Sequence, residues 1–98
     1  MQCDIYRTRA RGTLLCRIQS DTGADTTGIL CAPVVAREEF GQLIPKLHIP
    51  FMLGEAPHLV IMSQLVAVPA FELGAPIASA PHLRDEIIAA VDLLVSGF

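Results

Sequence analysis

Residues 83–98 read LRDEIIAAVDLLVSGF. Apolar side chains recur here at the three- and four-residue spacing that predicts a single stripe along one helix face. The stripe consists of Leu83, Ile87, Ile88, Val91, Leu94 and Val95. Ser79 and Pro81 are the predicted helix start, and Gly97 is the predicted stop. The pattern therefore predicts a C-terminal helix that delivers the last residues of the chain to a defined surface.

The residues before this helix favour short β-strands. A loop over 71–80 is predicted to turn Leu73 and Ile77 inward, and Pro33 indicates a strand that bends or lies at a sheet edge. The predicted strands are residues 2–7, 14–19, 29–35, 47–53, 58–62 and 66–68, with turns at 11–13 and 54–57 and a short helical turn within 37–43. Strands followed by one helix predict a single domain over residues 1–98, mainly β, with a bent antiparallel sheet or small barrel capped by the helix.

The composition is apolar for so short a chain. Of the 98 residues 52% are hydrophobic and 17% are charged, which is more apolar surface than a small monomer readily buries. We therefore expect either an obligate homodimer or a chain with an apolar face that binds a partner. No apolar run has membrane-spanning length and no signal-peptide pattern is present, so a cytoplasmic protein without membrane contact is expected.

Three cysteines, Cys3, Cys16 and Cys31, are odd in number and lack C-x-x-C spacing. This argues against a disulfide framework and against a zinc site. A metal site that joins them to His48 or His58 is disfavoured, because histidines on apolar strands are usually structural. We expect buried thiols, no metal and no cofactor.

Positive charge is concentrated near the amino end. Residues 1–20 carry a net charge of +3 and the remainder −6. Arg7, Arg9 and Arg11 alternate along a predicted strand, so they would share one side and suit an acidic peptide. The acidic remainder argues against direct nucleic-acid binding. A charged, solvated strand edge is the competing interpretation.

The segment DTGADTT at residues 21–27 resembles the active-site loop of retroviral-type aspartic proteases. In that chemistry each of two subunits supplies one carboxylate, here Asp21, and the pair activates water. The glycine-rich flap of those enzymes has no counterpart, because the seven glycines are spread from Gly12 to Gly97. A polar surface turn is the alternative interpretation.

Across its whole length the chain resembles the CcdB family, toxins of toxin–antitoxin modules that poison DNA gyrase. The resemblance rests on the order and spacing of short matches rather than on one diagnostic motif. They are Met1-Gln2, Ile5-Tyr6, Gln19-Ser20-Asp21, Pro33, Leu47-His48-Ile49, Met62, Val66-Ala67-Val68-Pro69, Leu73-Gly74, Arg84-Asp85-Glu86-Ile87, and Asp92 through Gly97-Phe98.

The resemblance implies an SH3-like small barrel, a symmetric homodimer and no enzymatic activity. It implies that the C-terminal tails bind the gyrase A subunit and trap the cleaved DNA complex. By position the implied gyrase-binding residues are Asp92, Val95, Ser96, Gly97 and Phe98, together with Thr22 and Gly23. The family's plasmid-borne prototype has tryptophan where Ser96 stands and isoleucines where Thr22 and Gly23 stand.

The resemblance also implies a CcdA-like antitoxin with a disordered, commonly acidic C-terminal segment. Arg7, Arg9 and Arg11 are the predicted antitoxin-binding residues because of their charge. The resulting prediction is the toxin of a type II toxin–antitoxin system, with roles in plasmid maintenance and in autoregulation of transcription. The alternatives are a homodimeric aspartic protease that uses Asp21 and a CcdB-fold interaction module without toxicity.

Overall fold

The computed structural model describes residues 1–21 and 28–97, so Thr22, Gly23 and Phe98 lie outside the described residues. The described part contains seven strands: β1 (Asp4–Arg7), β2 (Leu14–Arg17), β3 (Ile29–Ala36), β4 (His48–Leu53), β5 (Ala56–Ile61), β6 (Val66–Val68) and β7 (Ala78–Ser79). Its one α-helix, α1, spans Arg84–Ser96. Short 3₁₀ helices occupy Arg37–Glu39, Met62–Gln64, Ala70–Glu72 and Pro81–Leu83.

All the described strand pairs are antiparallel. The order across the sheet is β4-β5-β3-β2-β1-β7, and β6 pairs with β3 outside that path. The sheet curls into a half-barrel with α1 as the C-terminal element. The predicted mainly β fold with one C-terminal helix is thereby confirmed.

Strand β3 changes partners along its length. Its first half, Ile29–Cys31, pairs with β6, whereas Val34–Ala36 pair with β5. Pro33 lies between these two halves and faces Leu15 of β2. Because proline has no amide hydrogen to donate, it is tolerated where the ladder is interrupted. Of the two alternatives predicted for Pro33, the sheet edge is wrong, since β3 is a central strand. The bend stays a prediction.

The core has two parts because neighbouring residues on a strand face opposite sides of the sheet. Ile5 and Cys16 belong to the larger cluster, together with Ile87 and Ala90 of α1. Tyr6 belongs to the smaller one. Its other members are Leu15, Ile29, Cys31 and Leu73. All three cysteines are free and buried, as predicted.

The predicted helix start at Ser79 is wrong. Ser79 belongs to β7, where it pairs with Asp4. The sequence pattern does not predict this strand. A 3₁₀ turn over Pro81–Leu83 leads into α1, which has no side-chain cap. A two-residue strand is too short to give a periodic pattern, and its existence depends on the partner strand β1.

The predicted inward face is only partly correct. Leu73 is buried, at 4% exposure, but Ile77 is 49% exposed. Leu83 is buried in the 3₁₀ turn before α1, and on α1 itself the buried positions are Ile87 and Ala90. Ile88, Leu94 and Val95 are exposed. The body of the protein therefore covers a strip of α1 that is narrower than the apolar stripe. Among the described residues no helix combines the length and apolarity needed to cross a membrane.

Candidate functional site

The last turn of α1 presents four of the predicted site residues on one surface, which we call the tail surface: Asp92, Val95, Ser96 and Gly97. All four are exposed, and Val95 is 82% accessible. At 82% exposure, Val95 makes little contact with the rest of its own chain. It is available to another molecule.

Local hydrogen bonds define the geometry of the tail surface. The Ser96 hydroxyl donates to the carbonyl oxygen of Asp92 at 2.6 Å, a common arrangement for serine in a helix. Gly97 has φ of 80° and its N–H donates to the carbonyl oxygen of Leu93 at 2.9 Å. Glycine adopts this left-handed conformation without a Cβ penalty, which explains why α1 ends here.

The three arginines predicted to bind antitoxin do not share one strand face. Strand β1 ends at Arg7, and Arg9 and Arg11 lie in the turn that follows. Arg7 Nη1 donates to the carbonyl oxygen of Gly12 at 3.1 Å, and Arg9 Nε donates to the carbonyl oxygen of Phe71 at 2.7 Å. Both guanidinium groups thus have partners in the chain itself.

Arg11 differs from the other two. It is exposed, and within residues 1–21 and 28–97 its side chain has no hydrogen-bond or ion-pair partner. It lines a groove of about 440 Å³ between the β1–β2 turn and β6, here called the Arg11 groove. The other lining residues are Thr8, Ala10, Thr13, Leu15, Val66, Val68, Pro69 and Glu72. This groove combines aliphatic walls with an unpaired positive charge.

Asp21, the catalytic residue of the protease alternative, forms contacts with the first strands. Its Oδ1 accepts from the backbone N–H of Gln2 at 3.2 Å and lies 3.8 Å from Arg17 Nη2. The Arg17 side chain is buried and also donates to the carbonyl oxygens of Gln19 and Ser20. These contacts give Asp21 a structural role in joining the beginning of the chain to the end of β2.

A second cleft, not predicted from the sequence, lies between β4 and α1. We call it the helix cleft; its volume is about 350 Å³. It is lined by Lys46, His48, Ile49, Pro50, Glu86, Ala89 and Leu93. The helical residues follow the three- and four-residue spacing of one helix face. Only the fold brings His48 and Ile49 opposite α1, so no local sequence pattern indicates this cleft.

The buried thiols are kept protonated by their surroundings. Burial raises the pKa of Cys16 from 9.0 to about 12, and the neighbouring Cys3 and Cys31 add to the effect. Burial also raises the pKa of Cys31 to about 11, although the Arg17 charge opposes this. A thiol is a weak nucleophile and a poor metal ligand compared with a thiolate. In the part of the chain that is described, no three His, Cys, Asp or Glu residues form a group that could hold a metal ion.

Comparison with known families gives one match. The family model described as "CcdB protein" matches residues 2–97. No curated protein matches the chain. The family match spans both the tail surface and the Arg11 groove.

Proposed function

The chain belongs to the CcdB protein family of toxin–antitoxin toxins, and from this premise we propose that it binds the DNA gyrase A subunit through its tail surface and traps the gyrase–DNA cleavage complex. In this proposal the protein is a cytoplasmic homodimer and is neutralised by a CcdA-like antitoxin. It acts by binding and uses no cofactor.

The observation that carries the proposal is the exposure of Val95 at the end of α1. Val95 is 82% exposed and Leu94, beside it, is 42% exposed, although both belong to the apolar stripe. Burial of a valine side chain against a partner contributes about 1.5–3 kcal/mol, and such central apolar anchors carry much of the energy of an interface. Gly97 ends the helix directly after this turn, so Phe98 follows the exposed apolar residues in the chain.

The mechanism follows from differential binding. A ligand that binds the cleaved-DNA state of gyrase more tightly than the resealed state shifts the population toward the cleaved state, without a chemical step of its own. A symmetric toxin dimer would present two equivalent tail surfaces, which suits a target that is itself two-fold symmetric. Thr22, Gly23 and Phe98 complete the proposed gyrase-binding set.

The antitoxin is proposed to bind in the Arg11 groove. Its acidic segment would meet the Arg11 guanidinium, and its aliphatic side chains would meet Val66 and Val68. Arg7 and Arg9 contribute to the positive potential of this surface, although their guanidinium groups already donate to backbone carbonyls. Disordered segments of this kind order on binding and are steered by opposite charge.

The tail proposal is tested by Val95→Asp, with Met52→Asp as the matched control. Met52 is also an exposed apolar residue, 57% accessible, but it belongs to β4 and not to the helix that carries the tail surface. We expect Val95→Asp to abolish growth inhibition and capture of the gyrase A subunit, whereas Met52→Asp retains both. Deletion of Gly97 and Phe98 should have the same effect as Val95→Asp. Full toxicity of both tail variants would contradict the proposal.

The antitoxin proposal is tested by Arg11→Glu, with Arg84→Glu as the matched control. Both change an exposed arginine by the same charge, but Arg84 lies at the start of α1. Antitoxin affinity should fall at least about tenfold in Arg11→Glu, and the salt dependence of binding should become weaker. An equal loss of antitoxin affinity in the two variants would show a non-specific effect of charge and contradict the proposal.

Two further experiments separate the alternatives. Induced expression of the wild-type chain in a bacterium should cause double-strand DNA breaks that a gyrase A-subunit mutation suppresses, and normal growth would favour an interaction module without toxicity. Asp21→Asn should leave toxicity in place as long as the protein folds. Peptide cleavage that is lost in Asp21→Asn would instead support the aspartic protease.

A further inference from the structure

Phe71 is a large apolar side chain that the fold leaves in contact with solvent. It is 71% exposed, and within residues 1–21 and 28–97 it is the only exposed phenylalanine or tyrosine. Leu73, two positions further on, is buried at 4% exposure, so this segment is attached to the core by Leu73 and not by Phe71. Single exposed apolar residues are common, and the surroundings of Phe71 therefore decide what it can bind.

The backbone that carries Phe71 is held in place by the β1–β2 turn. Arg9 Nε donates to the Phe71 carbonyl oxygen at 2.7 Å, and the Arg9 backbone N–H donates to the carbonyl oxygen of Glu72 at 3.0 Å. The Arg9 guanidinium also lies against Gly74, where an added Cβ would be 3.1 Å from Nη2. Because these contacts fix the backbone, a partner that binds the Phe71 ring has little left to order.

The segment that carries Phe71 forms one wall of the Arg11 groove. Pro69 and Glu72 line this groove together with Arg11. The Glu72 carboxylate accepts a hydrogen bond of 3.1 Å from the backbone N–H of Ala10, whereas the Arg11 side chain has no partner among the described residues. Of the two charged side chains in the groove, the anionic one is thus bound by the chain itself and the cationic one is left for a partner.

We propose that Phe71 is an apolar anchor of the antitoxin site, where an apolar side chain of the bound segment covers the Phe71 ring while a carboxylate of the same segment pairs with Arg11. This inference rests on the proposed antitoxin binding and adds to it the need for an apolar residue near the acidic ones. A guanidinium suits a carboxylate because it can donate two parallel hydrogen bonds. The buried ring supplies affinity, and the charge pair supplies orientation and a faster encounter.

Fluorescence tests whether the ring is covered. The chain contains no tryptophan, so Phe71→Trp introduces a single reporter at the proposed anchor. The probe is a short synthetic peptide of alternating aspartate and leucine. We expect this peptide to shift the emission of Phe71→Trp to shorter wavelength and to protect it from iodide quenching, because the indole leaves water.

Met52→Trp is the matched control for the fluorescence experiment. Met52 is also an exposed apolar residue, but it belongs to β4. The peptide should leave the emission of Met52→Trp unchanged. The same emission change at both positions, or no change at Phe71→Trp, overturns the proposal.

Peptide affinities identify which side chain covers the ring. Serine in place of the peptide leucines should weaken binding to the wild-type chain at least about tenfold. The same change should weaken binding to Phe71→Ser much less, since the ring that the leucines cover is already absent. An equal loss in the wild type and in Phe71→Ser overturns the proposal. NMR signals of the Phe71 ring in the unsubstituted chain provide a readout that needs no variant, and they should shift with the leucine peptide and not with the serine peptide.

The outcomes separate this inference from the antitoxin proposal on which it rests. If Arg11→Glu loses affinity for the peptide and Phe71→Ser keeps it, the anchor is wrong and the Arg11 groove still binds the acidic segment. If both variants keep full affinity, the groove is not the binding surface and both proposals fail. An emission shift of Phe71→Trp that depends on protein concentration without peptide would show that a second copy covers the ring, which also overturns the proposal.

Discussion

Arg9 Nε donates a hydrogen bond of 2.7 Å to the carbonyl oxygen of Phe71, across 62 residues of sequence. The Arg9 backbone N–H donates to the carbonyl oxygen of Glu72 at 3.0 Å, and the next amide, of Ala10, donates to the Glu72 carboxylate at 3.1 Å. The β1–β2 turn is thus attached to the 3₁₀ helix at Ala70–Glu72. The two arginines of this turn, Arg9 and Arg11, consequently have different roles.

We predict that Arg9→Ala lowers the free energy of unfolding by about 1 kcal/mol, because the Phe71 carbonyl loses a charged donor. Arg11→Ala should change it by less than about 0.5 kcal/mol, since its side chain is exposed and unpaired. Urea unfolding measures both. Equal destabilisation by the two substitutions would show that the Arg9 contact does not stabilise the protein.

Lys46 has φ of 73°, a left-handed conformation. Lys46→Gly should stabilise the protein by about 0.5 kcal/mol, because glycine avoids the left-handed penalty but has more entropy to lose on folding. The reciprocal substitution is Gly54→Ala in the β4–β5 turn, where φ is 64° and no atom lies near the added Cβ. It should destabilise by about 1 kcal/mol for the same backbone reason. Thermal unfolding of both variants provides the measurement. A lower unfolding temperature for Lys46→Gly than for the wild type would contradict the prediction.

Stability should fall at alkaline pH because of the buried thiols. In the unfolded chain a thiol ionises near its ordinary pKa of 9.0, whereas folding raises the pKa of Cys16 to about 12 and that of Cys31 to about 11. The stabilisation is fully present below pH 9.0 and is lost as the pH rises toward these folded values. The loss is at most about 1.4 kcal/mol per pH unit for each thiol.

The measurement is the urea midpoint at about pH 8 and about pH 10. Cys16→Ala serves as the control, since it removes one of the shifted thiols and should reduce the difference between the two midpoints. The same difference in the wild type and in Cys16→Ala would assign the alkaline effect to other groups.

Two substitutions on α1 should separate stability from function. Ile87→Ala removes a fully buried side chain and is expected to cost about 2–5 kcal/mol of unfolding free energy. Val95→Ala, at an exposed position about two turns further along, should cost less than about 0.5 kcal/mol and weaken binding to the gyrase A subunit. Calorimetry and a binding assay check the pair. A strongly destabilised Val95→Ala would mean that Val95 packs within its own chain.

Local pattern predicted much of the fold because the relevant signals are short-range. The hairpin of β4 and β5 follows from two apolar segments around Gly54, and the end of α1 follows from Gly97. Strand β7 was not predicted, and Ile77 was predicted to turn inward but is exposed. Both depend on β1, more than seventy positions away in the sequence.

The candidate site also has one part that the local sequence predicts and another part that depends on the fold. The four tail residues lie within one helical turn and its cap, so their spacing alone predicts that they share a surface. The helix cleft joins His48 to Glu86, and no local pattern relates residues so far apart. The fold likewise decides which guanidinium groups find a backbone carbonyl to donate to, as those of Arg7 and Arg9 do and that of Arg11 does not.

The amino-acid sequence by itself determined the class of fold, the C-terminal helix with its exposed end, the buried thiols and the family. Hydrophobic periodicity, the conformational preference of glycine and side-chain apolarity are local properties of a few residues, so the sequence is enough to recognise them. Only the tertiary structure decided which part of the apolar stripe is covered, which arginine remains unpaired and which residues line the helix cleft. These outcomes depend on packing between segments that are distant in sequence, because the assembled sheet determines which side chains are buried and which hydrogen-bond partners they meet.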